Sequence, residues 1–151
     1  MTFVPERETT RRKTLDVMKL DTAGLRVLTR EECLHLFTLT PVGRIVFTDR
    51  ALPSVQPVNF LLHGDDIVIR TSAGSKLAAA TRNAVVAFEV DEIDVTTRTG
   101  WSVTAVGHAR AVTDPAEIER LSALPLVRWV PGDQDHFIVV RAEQVSGRRI
   151  V

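Results

Sequence analysis

The sequence predicts a mainly β domain, a small and mostly antiparallel barrel of six strands with short helices at the connections. From Val42 onward, the segments rich in Val, Ile, Thr and Phe show the alternating pattern of half-buried strands. Short turn signals separate these segments, and helical patterns occur only before and between them. Because closure removes the unpaired edges that such strands would otherwise expose, we expect the sheet to close into a barrel.

The composition is that of one globular domain. The chain has 151 residues, 44% hydrophobic and 25% charged, and its 19 basic residues balance 19 acidic ones, so we expect no nucleic acid partner. The single cysteine, Cys33, excludes an internal disulfide framework. With no apolar run long enough to span a membrane, we expect a cytoplasmic chain without membrane contact.

An arm and a short helix are predicted before the barrel. Residues 1–27 form a predicted mobile N-terminal arm, since the run PERETTRRK is charged and lacks apolar periodicity, although it could instead wrap a partner subunit. The domain is predicted over residues 28–151. Thr29 and Glu32 form a capping box, and apolar residues at helical spacing follow until Pro41.

The six predicted strands are residues 42–49, 53–63, 66–71, 85–90, 101–113 and 136–141. The first three should form an antiparallel meander because their connections are short enough for hairpins. The polar stretch 91–99 is expected to be a loop or hairpin end, and Gly107 should bend the long fifth strand. Further helices are predicted at residues 76–82 and between a cap at Asp114 and Pro125.

The segment RTSAGSK, residues 70–76, has the features of a phosphate site. A strand ends there and a helix follows, so free backbone N–H groups and the positive end of the helix dipole point to one place. Thr71 and Ser75 add hydroxyl donors, while Arg70 and Lys76 add positive charge. The same residues could instead form an ordinary helix cap with solvated basic side chains. A nucleotide-like ligand is the first hypothesis.

One family shares the order of six segments of this chain. The chain resembles the pyridoxamine 5'-phosphate oxidase-like, FMN-binding split-barrel proteins, particularly the small actinobacterial type, in VGRIVF, PVNF, IRTSAGSKLAAA, VVAFEVDEID, GWSVTAVGHARAV and HFIVVRAEQVSGRRI. The resemblance covers roughly residues 28–151. It implies a six-stranded split barrel and a homodimer with FMN in each of two clefts at the subunit interface.

The resemblance also implies cofactor-binding roles, at Arg70, Thr71, Ser75, Lys76, Val58, Asn59, Phe60, Trp101 and Ser102. The first four would surround the FMN phosphate, the next three would follow the edge of the isoalloxazine ring, and the last two would contact the ring or the ribityl chain. The chemistry of two of these residues also allows other interpretations of their roles. Asn59 in an apolar strand needs either a ligand or a backbone partner. Core or interface packing is the commoner role for a residue such as Trp101.

The implied function is an FMN-dependent oxidoreductase in which flavin N5 exchanges hydride with a small planar substrate. The alternatives are a deazaflavin-dependent reductase and a flavin- or haem-binding carrier without turnover. The substrate-binding set of the true pyridoxamine phosphate oxidases has no match here, so the catalytic residues stay unassigned. The four histidines are scattered and no cysteine pair accompanies them, so we expect no metal site.

A shared site would bring residues of one chain to the ligand of the other. A small barrel is filled by its own side chains, so a tricyclic ring must bind outside it, in a cleft that a second subunit can close. Trp101, Trp129 or the pair Arg148 and Arg149 could reach the partner's ligand in this way. Trp129 could instead cover the cleft of its own chain or pack on the barrel.

Overall fold

The computed structural model describes residues 19–127 and 136–151, which contain eight strands and three helices. The strands are β1 Arg26–Val27, β2 Val42–Asp49, β3 Leu52–His63, β4 Asp66–Thr71, β5 Val85–Asp94, β6 Thr99–Ala111, β7 His136–Arg141 and β8 Gln144–Ile150. The helices are α1 Arg30–Phe37, α2 Lys76–Ala80 and α3 Pro115–Ser122. Over these described ranges, no helix has the length and hydropathy of a membrane span.

Six strands close into an antiparallel barrel in the order β6, β5, β2, β3, β4, β7. β7 pairs with β4 along its length and closes the barrel by also pairing with residues 109–111 of β6. The barrel strands fall on the six segments that the alternating pattern predicts, and β2, β3 and β4 form the expected meander. The predicted fold class, a six-stranded antiparallel split barrel, is confirmed.

β6 is shared between two partners, which gives the barrel its split form. Residues 100–106 of β6 pair with β8, whereas residues 109–111 pair with β7. Gly107 lies between the two halves, and a Cβ placed on it would overlap the carbonyl oxygen of Arg141. The sequence predicts a bend or bulge at this glycine. The structure shows a change of pairing partner there, with a backbone approach that only glycine permits.

Three predicted boundaries need correction. β5 continues to Asp94 instead of ending at residue 90, so the stretch 91–99 is the hairpin end that was one of the two predicted alternatives, with a turn of residues 95–98. Pairing with β6 gives hydrogen bonds to the backbone N–H and C=O groups of these residues, whether their side chains are polar or apolar. β8 was not predicted as a strand, and it pairs with β6 beside the six-stranded barrel. α2 ends at Ala80, two residues earlier than predicted, because the backbone of Thr81 leaves the helical region (φ −95°, ψ 0°) and Asn83 has a positive φ of 55°.

The described part of the N-terminal segment, residues 19–27, lies beside β8 and leads into α1. Residues 1–18 of the predicted arm lie outside the described residues. In the rest of that arm, β1 pairs with β8, and Asp21 Oδ2 accepts a hydrogen bond from Arg148 Nε at 3.0 Å. The predicted capping box of α1 is present, with Glu32 N donating to Thr29 Oγ1 at 3.2 Å and Thr29 N donating to Glu32 Oε1 at 3.1 Å.

Aromatic and aliphatic side chains fill the barrel interior. Phe60 and Phe88 are 4.8 Å apart between ring centroids, and Phe37 packs against both at 6.4 and 6.2 Å. Cys33 is fully buried in the same core. A second cluster lies outside the barrel, where Leu121 of α3 packs on Val68 of β4 and its neighbours in β7. The interior is therefore occupied by the chain's own side chains.

Candidate functional site

The two hydroxyl residues predicted for the phosphate site meet at the junction of β4 and α2. Thr71 Oγ1 donates a hydrogen bond to Ser75 Oγ at 3.1 Å, and Ser75 Oγ accepts one from Ala78 N at 3.0 Å. Ser75 is thus the N-cap of α2. Because α2 has only five residues, its dipole is weaker than the sequence suggests, and the hydroxyls and nearby cations carry most of the attraction for an anion.

The two basic residues of this segment point in different directions. Lys76 extends into solvent, with its side chain 70% exposed, and its Nζ lies 3.0 Å from Asp49 Oδ2 at the end of β2. Arg70 lies on the outer side of the barrel, where its guanidinium stacks over the ring of Phe137 at 5.0 Å from the centroid. Both cations therefore border the β4–α2 junction, and both already contact another residue of the chain.

The predicted ring-binding strand lies beside this segment. Phe60 of β3 pairs with Ile69 of β4, and Asn59 and Arg70 are the next residues along the two strands. The Phe60 side chain is buried in the core, so only its backbone could meet a ligand. Val58 packs partly against the core as well. The backbone is therefore the part of Val58 and Phe60 that a ligand on the outer side could contact.

Asn59 lines a cavity of about 260 Å³ on the outer side of the barrel. Its walls include Thr40, Leu61 and Leu126, and Thr40 Oγ1 is buried with no hydrogen-bond partner in the described part of the chain. A mostly apolar cavity with a few polar atoms is typical of small-molecule sites. Asn59, a polar residue in an otherwise apolar strand, therefore lines such a cavity.

Trp101 and Ser102 lie away from the phosphate segment in the same chain. They belong to the half of β6 that pairs with β8, whereas β7 connects β4 only to the other end of β6, at residues 109–111. The Trp101 side chain is only 7% exposed and packs in the core, whereas Ser102 alternates with it and faces outward. One chain therefore does not bring all the predicted cofactor residues together. Trp129 lies outside the described residues.

Two residues near the phosphate segment were not predicted from the sequence. His136 of β7 pairs with Thr71, and its Nε2 is buried without a hydrogen-bond partner among the described residues. Asp49, the last residue of β2, lies close to Lys76, the first residue of α2. Strand register places His136 here and the packing of α2 beside β2 places Asp49 here, so no local pattern could identify them.

A cluster of charges lies on the outer face of β2 and β5. Arg44 Nη1 lies 3.6 Å from Glu89 Oε2 and 3.4 Å from Asp91 Oδ2. Burial, followed by the hydrogen bond and charge of Asp91, raises the pKa of Glu89 to about 7, against the opposing effect of Arg44. Glu89 is thus a carboxyl group that changes its charge near neutral pH.

Comparisons with known proteins agree with this architecture. The sequence model of the family described as pyridoxamine 5'-phosphate oxidase matches residues 29–149. The uncharacterized protein Rv0080 of Mycobacterium tuberculosis is 39% identical over 129 residues, which is 82% of this chain and 84% of that protein.

Two solved structures share the fold over most of their length. The FAD binding protein of Mycobacterium smegmatis has 34% identity and a TM-score of 0.70, over 82% of this chain and 96% of that one. An FAD-binding protein of Mesorhizobium loti has 26% identity and a TM-score of 0.69, over 84% and 99%. Together with the matched segments and the barrel geometry, these similarities show that the chain belongs to the pyridoxamine 5'-phosphate oxidase family.

Proposed function

We propose that this protein is a flavin-dependent oxidoreductase that holds the flavin phosphate at the junction of β4 and α2. The observation that carries the proposal is the meeting of Thr71 and Ser75 at 3.1 Å, between the cations Arg70 and Lys76. Two hydroxyl groups in contact, with a cation on each side of them in the sequence, suit a phosphate group. Relatives at 34% and 26% identity are FAD-binding proteins, which supports a flavin as the ligand.

Each residue of the site has a part in holding the cofactor. Thr71 and Ser75 would donate to phosphate oxygens, and Lys76 would move from Asp49 to the phosphate. Arg70 is oriented by its stacking on Phe137, so less side-chain freedom is lost when it binds an anion. The backbone at Val58, Asn59 and Phe60 would border the ring. The bound flavin supplies hydride exchange at N5 with a small planar substrate.

FMN is the flavin that we propose. The isoalloxazine, ribityl and phosphate parts are common to FMN and FAD, so the β4–α2 junction fits the shared part of both molecules. A deazaflavin coenzyme carries a phosphate as well, and it is the alternative cofactor. Heat release of the bound cofactor, followed by its chromatography and absorption spectrum, distinguishes the three molecules.

We further propose a homodimer with shared sites. The barrel interior is filled, so the ring must bind outside it. Ser102 faces outward on β6, in the half of that strand that does not pair with β7 beside the phosphate segment, and a second chain can bring its own Ser102 to that flavin. Trp101, with its buried side chain, would support Ser102 from within the core.

Titration of the cofactor-free protein with FMN and with riboflavin tests the proposal. The two ligands differ only in the phosphate, so we expect FMN to bind at least tenfold more tightly, as for a charge-assisted contact. Equal affinities would show that the phosphate lies elsewhere. Oxidation of a reduced nicotinamide with an added acceptor then separates an enzyme from a carrier, because a carrier binds flavin without turnover.

A further inference from the structure

The outer face of β3, β2, β5 and β6 carries an apolar row that crosses all four strands. Val55 pairs with Val46, Val46 pairs with Ala87, and Ala87 pairs with Val106. Val46, Ala87 and Val106 alternate along their strands with buried residues, so their side chains face outward. Val55 is 61% exposed. Of the described helices, α1 packs on β8 and β6, α2 contacts β2 with its Leu77 in the barrel core, and α3 lies over the β4–β7 side of the barrel. We call this surface the outer sheet face.

A charged row runs beside the apolar row on the same face. Arg44 pairs with Glu89, and Glu89 pairs with Thr104. Asp91 lies two residues further along β5, and the single guanidinium of Arg44 contacts both carboxylates. Two carboxylates share one cation, so this row carries one unbalanced negative charge when both are ionised.

We propose that a second copy of this chain docks on the outer sheet face and that Glu89 holds a proton in the docked state, so that self-association strengthens as the pH falls. The inference deepens the shared-site homodimer of the proposed function and rests on it. A second copy is the occupant because Ser102 faces outward next to this row, opposite Asp91, and is separated from the phosphate segment of its own chain. In a two-fold arrangement, each apolar row can pack on its counterpart.

The charges on the face require the proton. Docking removes water from Glu89 and Asp91, and an unpaired buried charge is strongly unfavourable. The groups facing Glu89 are Arg44 from β2, Asp91 from β5 and the uncharged Thr104 from β6. Arg148 of β8, opposite Ser102, is bound to Asp21 at 3.0 Å. Within the described chain, these neighbours leave Glu89 without a cation of its own, so protonation is the way to neutralise it.

The direction of the pH dependence follows from the free chain. Burial raises the pKa of Glu89 to about 7 in one copy, and further burial on docking raises that pKa again. Below about pH 7 the free chain already carries the proton, so the affinity should be constant. Above that pH each docked Glu89 must take up a proton, and the affinity should fall by up to roughly tenfold per pH unit for each one, or roughly 100-fold for a symmetric pair.

Sedimentation equilibrium of the full chain without flavin, from pH 6 to pH 9 at fixed ionic strength, tests the inference. We expect the dimer dissociation constant to be flat at the acid end and to rise above neutrality. Glu89→Gln keeps the shape and removes the charge, so it should hold the low-pH affinity at every pH. Glu92→Gln, an exposed neighbour on β5, is the matched control and should behave like the unmodified chain.

A second pair of variants tests the location of the interface. Val55→Arg places a charge in the apolar row and should give monomers at every pH. Val95 is 84% exposed in the turn between β5 and β6, so Val95→Arg should dimerise normally. Circular dichroism confirms that each variant is folded. A pH-independent dimer, an affinity that rises with pH, an unchanged pH dependence in Glu89→Gln or a dimeric Val55→Arg would each overturn the inference.

Flavin binding is measured separately, at protein concentrations where the dimer is saturated. If flavin binds but the dimer dissociation constant does not depend on Glu89, this inference fails and the proposed function stands. If association follows Glu89 but no flavin binds, the proposed function fails and the proton-linked interface stands.

Discussion

Lys76 Nζ lies 3.0 Å from Asp49 Oδ2, so the cation predicted to bind phosphate is held by a carboxylate at the β2–β3 hairpin. Replacement of Lys76 by Ala should remove a charge-assisted contact to FMN worth about 1.5–3 kcal/mol, which weakens binding roughly tenfold to a hundredfold. Fluorescence titration with FMN measures this loss. Riboflavin is the matched control ligand, since without a phosphate it should bind both forms alike. An unchanged FMN affinity would place the phosphate away from Lys76.

Asp49 competes with the phosphate for Lys76, and its removal should have the opposite effect. Asp49→Asn keeps the side-chain size but removes a negative charge beside the site, so FMN should bind more tightly, by roughly threefold to tenfold. The same titration measures the change. Asp65→Asn, in the exposed turn between β3 and β4, is the control and should leave FMN affinity unaltered. Weaker FMN binding by Asp49→Asn would mean that Asp49 positions Lys76 for the phosphate.

Gly107 should tolerate no side chain. A Cβ at this position overlaps the backbone carbonyl of Arg141, which cannot move without breaking the pairing of β6 with β7. We expect Gly107→Ala to lower the free energy of unfolding by at least about 3 kcal/mol. Urea denaturation measures this. Gly74→Ala is the control, because a Cβ there meets no atom within 4 Å, and its stability should change little.

The ion pair of Arg110 and Glu117 should contribute stability only above acid pH. The hydrogen bond from Arg110 holds the pKa of Glu117 below its ordinary value of 4.5. A lowered pKa in the folded chain means that the contribution is present above the unfolded pKa and is lost as the pH falls through the folded pKa. For a partly exposed pair, we expect Glu117→Gln to lower stability by about 0.5 kcal/mol at pH 7.

At acid pH, once Glu117 is protonated in the folded chain, the difference in stability between Glu117→Gln and the unmodified chain should shrink. Urea denaturation at both pH values provides the comparison, and Glu119→Gln, exposed on the same helix, is the control. A difference that persists unchanged at low pH would show that the carboxylate charge does not contribute.

The barrel was predictable because its strands carry local signals. Alternation with Val, Ile and Phe marks each of the six barrel strands, and the contact of Thr71 with Ser75 spans only four residues, so both follow from short stretches of sequence. β8 was not predicted because its sequence, QVSGRRI, is polar and lacks the alternating apolar pattern. Its strand conformation comes from backbone pairing with β6. The pairing of Thr71 with His136 depends on strand register, and the contact of Asp49 with Lys76 depends on how α2 packs beside β2; a single sequence encodes neither locally.

The shared strand β6 also sets the order in which the chain can mature during synthesis. β7 joins β4 to β6, so the barrel stays an open sheet until residues 136–141 have left the ribosome. Until then, β4 and the end of β6 each present unpaired N–H and C=O groups to other nascent chains. The closing pairs join residues far apart in sequence, which slows the last step of folding. The emerging chain is therefore most exposed to aggregation in the interval before β7 leaves the ribosome and pairs with β4 and β6.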